Sequence, residues 1–366
     1  MEINDKARNI PSLDGLRAIS ILLVIVGHSS EHFSRWIGIP ASSYLLFAHT
    51  GVSVFFVISG FLITSLLLKE LHATRTIGLK RFYVRRAFRI FPPFYLYLAI
   101  IFALTLAGVF HTPLRAFFFA AIYTSNYYFG PGGGFAGLQH IWSLSVEEQF
   151  YLLWPAALLL LGKRRGVYLA GFLILISPLS RVATYFALAP EHRAMVDRMF
   201  HSSVDTIMFG CLLALLWQND RFNRRLRFWI NPWSMAGAVL FLFLLDPLLD
   251  HRFGGGYGLT IGMTLEGVSI CLITLYVVRF PQTVPGRILN TPVLRHIGLI
   301  SYSLYLWQNI LTGGADRYFP LNLAAILACA EISYWAVERP SLRLRDRLRK
   351  RVGNDPPIER QAASTQ

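Results

Sequence analysis

Charge is scarce in this sequence. Only 15% of its 366 residues are Asp, Glu, Lys or Arg, against 54% hydrophobic and 14% aromatic. That balance is too apolar for an ordinary soluble enzyme. Cysteine is nearly absent: Cys211, Cys271 and Cys329 all fall within apolar runs without CxxC spacing, which argues against a disulfide framework. No long heptad, no repeat with a period of about 20–50 residues and no low-complexity tract apart from the polar end of the chain is found, so repeat architectures are set aside. A secretory leader is not legible either. Asp14 and Arg17 precede the first apolar run and no small-residue cleavage site closes it, so that run is expected to be retained.

What is present is a succession of apolar segments, each able to cross a hydrocarbon core about 30 Å thick as a helix. Hydropathy places spans near residues 16–33, 45–68, 91–110, 141–162, 167–188, 203–218, 232–249, 259–278, 296–312 and 321–337, an all-α integral membrane protein of about ten transmembrane helices. Residues 1–340 form the membrane domain, and 341–366 read as a basic, disordered tail.

The net charge of +15 could point to nucleic acid, but the positions of the basic residues decide otherwise. Of 35 Lys and Arg, 28 lie at the N-terminus, in the tail, or in four connections that an even span count puts on one side. These connections contain KELHATRTIGLKRFYVRRAFRI, KRRG, QNDRFNRRLRF and RFPQTVPGRILNTPVLRH. The remaining seven are Arg35, Arg115, Arg181, Arg193, Arg198, Arg252 and Arg317. Such an imbalance puts the basic loops and both ends in the cytoplasm.

Between the third and fourth spans lies TPLRAFFFAAIYTSNYYFGPGGGFAGLQHIWSL. Residues 116–128 are apolar but too few to cross, and Gly130 to Gly134 break any helix. This stretch reads as a re-entrant or surface segment facing outward, and backbone of that kind at membrane depth requires cover by protein or a cavity.

The chemistry has to come from polar groups kept inside the membrane. In LDGLRAISILLVIVGHSS, Arg17 and His28 are eleven residues apart, about 20° from three full helical turns. Both therefore leave one helix face, about 16 Å apart along the axis. Arg17 at a helix end can snorkel or pair with Asp14; His28 is a neutral polar group suited to general-base work. His32, with Glu31 and His49, raises a zinc alternative, but HSSEH is not HExxH and no further ligand spacing supports it, so no metal is expected.

In HIWSLSVEEQFYLLWP, Glu147 and Glu148 stand just inside the fourth span, where a carboxylate is costly enough to require a cationic partner or a cavity. Two readings stay open: an ion pair with Arg17 or another intramembrane arginine such as Arg181, or a carboxylate that orients His28. In RRAFRIFPPFYLY, Arg86 and Arg89 are i,i+3 on one helix face and can fork around a phosphate-bearing ligand. Anionic lipid headgroups are the other reading of that basic run.

Together these segments resemble acyltransferase family 3, the multi-pass acyltransferases that modify bacterial surface glycans and some antibiotics. The likeness covers about residues 10–340. LDGLRAISILLVIVGH is similar to the family's opening motif, GVSVFFVISGFLIT to its second span, RRAFRIFPPFYLY to its RxxR loop, HIWSLSVEEQFYLLWP to its Glu motif and GLISYSLYLWQ to its penultimate-span signature.

The resemblance implies a ten-span fold in the bacterial cytoplasmic (inner) membrane with cytoplasmic ends, and transfer of an acyl group, most often acetyl, from acetyl-coenzyme A to a hydroxyl. It implies His28 as catalytic base, Arg17 as its essential partner, Glu147 as the acid that holds the imidazole, and Arg86 and Arg89 as ligands of the coenzyme's phosphates. Ser59 and Gly60 match the second-span motif, where Gly permits close helix contact and Ser a hydrogen bond, with packing the favoured role of both. The implied partners are membrane lipids and a carbohydrate or lipid-linked glycan acceptor, not nucleic acid, with room for a separate periplasmic partner or a homo-oligomer. Gln308 stands where the family often has His, which places proton transfer there in question. Many relatives continue into an extracytoplasmic esterase-like domain, and here the tail is expected to follow the membrane domain directly. The competing class is a transporter or flippase for a surface-polysaccharide precursor, against which the lack of internal repeats counts.

Overall fold

The structure, a computed structural model, describes residues 10, 12–29, 41–130, 137–217, 219, 222, 224, 229–312 and 319–352. These residues are helical throughout their ordered elements, with no strand among them. The long elements of the first half are α1 (Leu13–His28), α2 (Ala41–Thr74), α3 (Leu79–Leu106), the short α4 (Leu114–Ala121) and α5 (Ile141–Ala187). They are followed by α6 (Phe200–Trp217), α7 (Pro232–Phe253) and α8 (Gly255–Arg279). The chain then runs through α9 (Val284–Leu289), α10 (Pro292–Leu299), α11 (Ser301–Thr312), α12 (Leu321–Ser333) and α13 (Arg339–Val352).

Among the described residues, seven helical stretches are long and apolar enough to cross a membrane. Several differences from the hydropathy reading have local causes. α3 begins at Leu79 rather than near residue 91 because the arginines of RRAFR, which lower the hydropathy of that stretch, are good helix formers. α5 runs 47 residues, and the expected spans 141–162 and 167–188 meet at a single non-helical residue, Gly162, with φ 69°. KRRG is thus helix and not loop, because glycine adopts that left-handed φ without the steric cost of a Cβ. The expected span 296–312 is broken at Ile300, where α10 gives way to α11.

The tail is also corrected in part. Residues 339–352 of the basic end are helical as α13, joined to α12 through a π turn at Tyr334–Glu338; residues 353–366 lie outside the described residues. Alternating Arg and Leu favour helix, and α13 docks on α3 through a specific need. Pro92 lies inside α3 and cannot donate to the Phe88 carbonyl four residues back. The Ser341 hydroxyl donates to that carbonyl instead, at 2.7 Å.

Burial orders the bundle. The most apolar windows of α2 and of the segment ending in α6 are 72% buried, that of α7 only 11%, so α2 and α6 are central and α7 peripheral. α1 packs on α2 and α10, and α5 on α6. Leu160, Leu175, Phe186 and Trp233 project outward from the periphery, an apolar exterior that suits lipid.

The α2–α6 crossing depends on two glycines facing each other's backbone. A Cβ at Gly60 would sit 2.1 Å from the Ile207 carbonyl oxygen, and one at Gly210 2.0 Å from that of Val57. Gly60 therefore does the packing expected of it. Gly60→Ala is expected to lower stability by about 3 kcal/mol through overpacking, read as a lower midpoint in detergent-solubilised thermal unfolding.

α4 and the 3₁₀ turn Ser125–Tyr127 lie against α3 and α5. The Tyr95 hydroxyl donates to Ala121 O at 2.8 Å, and Tyr123 stacks on Phe94 with centroids 4.5 Å apart. The glycine run expected to break the chain lies mostly at 131–136, outside the described residues.

Candidate functional site

Arg17 and His28 sit at opposite ends of α1, and each meets α11. Arg17 lines a cavity with Arg86 and Arg89 of α3, Ser59 of α2, Glu147, Glu148 and Tyr151 of α5, and Tyr302 and Tyr305 of α11. His28 does not line it. The structure thus brings four of the five expected site residues around one space and sets the fifth apart.

The electrostatics of that cavity are unusual. Among the described residues none of Arg17, Arg86 and Arg89 has a carboxylate within 4.0 Å. Arg17 Nε is buried without a hydrogen-bond partner. The Arg86 guanidinium lies over the Tyr151 ring, 4.5 Å from its centroid, which holds it in place without neutralising it. Two acids share the space, but Glu147 Oε1 accepts from Ser59 Oγ at 2.6 Å, and Tyr151 Oη donates to Ser59 Oγ at 3.2 Å. Three guanidiniums without ion-pair partners among the described residues, beside a cavity, are chemically able to hold an anion.

Two expectations change here. Glu147 is bonded to Ser59 and not to His28, so Ser59 has a polar role beyond packing. The partner of His28 is Gln308, whose Oε1 lies 2.9 Å from Nδ1. With the Gln308 amide placed oxygen towards the ring, that oxygen can only accept, which assigns the proton to Nδ1 and the free lone pair to Nε2. The amide nitrogen of Gln308 is buried and has no partner, leaving two donor hydrogens beside the imidazole.

The ion-pair reading also fails for Arg181, which is fully buried with Asp205, Nη1 to Oδ2 2.8 Å. Of the zinc alternative, Glu31 and His32 lie outside the described residues, and His49 Nδ1 is 3.2 Å from Glu266 Oε2.

Two further residues connect the cavity to His28. Tyr305 lines the cavity and Gln308 holds His28; they are i,i+3 on α11, about 4.5 Å apart along its axis. Ser143 Oγ and Tyr305 Oη are 2.5 Å apart, and Tyr305 Oη donates to His140 O at 3.0 Å. The His140 ring packs between Tyr97 and Tyr305, centroids 5.6 and 5.3 Å away, with both ring nitrogens lacking a hydrogen-bond partner. His140 opens the HIWSLSVEEQF segment, and an imidazole at the mouth of an acid-bearing span was a signal available in the sequence. Gln308 was visible only as a departure from the family pattern.

Residues 10–336 match the model of a family described as "Acyltransferase domain". A Staphylococcus aureus (strain COL) protein named "Putative O-acetyltransferase SACOL0978" is 31% identical over 378 residues, covering 92% of this chain and 58% of that protein. The O-acetyltransferase OatA of Staphylococcus aureus (strain NCTC 8325 / PS 47) is 27% identical over 366 residues, covering 91% of this chain and 57% of OatA. The chain therefore spans little more than half the length of these relatives. No solved structure matches it. With a family model covering most of its length, the chain belongs to the acyltransferase 3 family.

Proposed function

We propose that this chain is a membrane O-acetyltransferase that moves an acetyl group from cytosolic acetyl-coenzyme A to a hydroxyl of an extracytoplasmic or lipid-linked carbohydrate. The observation that carries the reading is the trio Arg17, Arg86 and Arg89, without ion-pair partners among the described residues, around a cavity that ends one turn of α11 from the His28–Gln308 pair. A donor bearing several phosphates suits three such guanidiniums. The names of the relatives point the same way.

In this proposal Arg86 and Arg89 bind the donor's phosphates on the cytoplasmic side, and Arg17 continues the positive lining inward. His28 Nε2 accepts the proton of the acceptor hydroxyl as its oxygen attacks the thioester carbonyl carbon. The C–O bond forms, the C–S bond breaks, and His28 returns the proton to the leaving thiolate. Gln308 Oε1 holds Nδ1–H and stabilises the imidazolium, and its amide N–H groups donate to the oxygen where negative charge develops. Glu147, held by Ser59, balances part of the positive field of the cavity.

The same reading includes ten crossings with both termini cytoplasmic in the bacterial inner membrane. The 47-residue α5, about 70 Å long if straight, supports two crossings divided at Gly162. The short α4 segment is the part proposed to enter and leave on the outer face.

Incubating the purified protein with [¹⁴C]acetyl-coenzyme A and total surface glycan is expected to release free coenzyme A and leave base-labile label on carbohydrate. Undiminished thioester with unlabelled glycan overturns the proposal. Arg86→Gln and Arg89→Gln are each expected to raise the KM for acetyl-coenzyme A by about 10–100-fold, the loss of a charge-assisted hydrogen bond to phosphate, with a smaller change in kcat. Steady-state kinetics at saturating acceptor reads the difference.

A further inference from the structure

A second, larger cavity shares no lining residue with the arginine-lined one. It opens between the start of α2, the 3₁₀ segment Pro190–Arg198 and the hairpin formed by α7 and α8, with a volume of about 470 Å³. We propose that this cavity docks the hydroxyl acceptor, and that the acceptor group it takes is a neutral, hydroxyl-rich sugar. The inference rests on the acyl-transfer reading and adds to it a place and a charge class for the second substrate.

Its position is the first argument. A Cβ at Gly27 would sit 2.5 Å from Ala48, so the last turn of α1 touches α2 one residue before His49, which lines the cavity. His28 follows Gly27. The cavity thus begins beside the imidazole end of α1, whereas the three arginines surround the other end. His28 lines neither cavity, and the proposal brings donor and acceptor to it from opposite ends of α1.

Its chemistry is the second. Asp197, Asp246, Asp250 and Glu266 all line it, against one arginine, Arg193, and His49. Glu266 is 98% buried; its Oε2 accepts from Ser53 Oγ at 3.1 Å and pairs with His49, while Oε1 has no partner. Asp197 Oδ1 is likewise buried and unpaired. A buried carboxylate oxygen lacks only a donor, and sugar hydroxyls are donors. Tyr257, whose hydroxyl donates to Asp246 Oδ1 at 2.7 Å, and Tyr185, under the Arg193 guanidinium, supply ring faces. The excess of carboxylates repels phosphate and uronate groups, the reverse of the arginine-lined cavity. Opposite charge sorts the two substrates.

The walls are built for this shape. π turns interrupt α7 at Phe241–Leu245, immediately before Asp246, and α8 at Gly258–Gly262, whose two terminal glycines line the space. Single π turns of this kind recur at functional sites because they re-aim the side chains that follow. Among the described residues no set of three or more His, Cys, Asp or Glu converges as a metal site.

The test uses the full chain in its own cells and in detergent. Asp197→Asn, Asp250→Asn and Tyr257→Phe are expected to lower base-releasable acetyl on surface glycan about tenfold, the loss of one hydrogen bond to a charged or buried group. Gly255→Phe, where an added side chain meets only open space, is expected to do the same by filling the cavity. All four purified variants are expected to bind acetyl-coenzyme A as the wild type does, which shows them folded. Wild-type glycan acetylation in these variants overturns the docking proposal alone, and so does an ester found on an acidic sugar. A wild-type protein that neither binds acetyl-coenzyme A nor places an ester overturns the acyl-transfer reading and the docking proposal together.

Discussion

His28→Ala is expected to lower the rate of acyl transfer by about 10²–10⁴-fold, the range for removing a positioned general base, while leaving acetyl-coenzyme A binding and the detergent-solubilised fold unchanged. The expectation follows from where the proton is. Gln308 is placed with Oε1 facing Nδ1, which assigns the proton to that nitrogen and makes Nε2 the basic one. Alanine removes the proposed base and leaves the proposed phosphate-binding end untouched, since Arg17, Arg86 and Arg89 line a cavity that His28 does not line. The defect therefore belongs in kcat, not in the KM of the donor. Gln308→Leu is expected to show a smaller loss of about tenfold or more, because the imidazole survives without the hydrogen bond that fixes its tautomer. If His28→Ala transferred acetyl at near-normal rates while correctly folded, the base assignment would be wrong. A pH profile adds a check: the wild-type rate is expected to fall as His28 gains its proton at low pH, and the residual rate of His28→Ala to lack that limb.

Much of this arrangement could be read from spacing within single helices. The eleven-residue interval of Arg17 and His28 puts both on the face of α1 that meets α11, and the i,i+3 interval of Arg86 and Arg89 puts both on one cavity wall. What could not be read is which face meets which, because helical periodicity carries no information about neighbours far along the chain. Gln308 is 280 residues from His28, and Ser59 is 88 from Glu147; no local pattern links either pair. Charge alone leaves the acid open to an arginine or to the imidazole, and in the structure Ser59 holds the acid while an amide holds the imidazole. Hydropathy also misplaced boundaries where arginines continue a helix, as at the start of α3 and in α13, since transfer scales penalise charge that helix propensity tolerates. The second cavity was invisible for a related reason. Its carboxylates come from three separate elements, and the π turns that aim them leave no sequence mark.

Arg181→Met is expected to destabilise the fold by about 3–5 kcal/mol, the cost of leaving a buried charge without its partner. Both side chains of the Arg181–Asp205 pair are inaccessible, and Arg181 also donates to Ser202 O at 2.7 Å and to Leu259 O at 2.8 Å. One guanidinium thereby ties α5 to α6 and to the π turn of α8, where it donates to the Leu259 carbonyl. Asp205 Oδ1 has no partner even in the intact pair, so replacing both charges by apolar groups, Arg181→Met with Asp205→Leu, is expected to recover most of the lost stability. Thermal unfolding in detergent measures the cycle, and additive losses in the double variant would refute the pairing argument. The double variant also separates stability from function. Leu259 belongs to the wall of the second cavity, and without Arg181 its carbonyl is no longer held. A protein restored in midpoint but still impaired in transfer to glycan, with acetyl-coenzyme A binding intact, would mean that the ion pair serves the shape of the proposed acceptor cavity and not only the strength of the bundle.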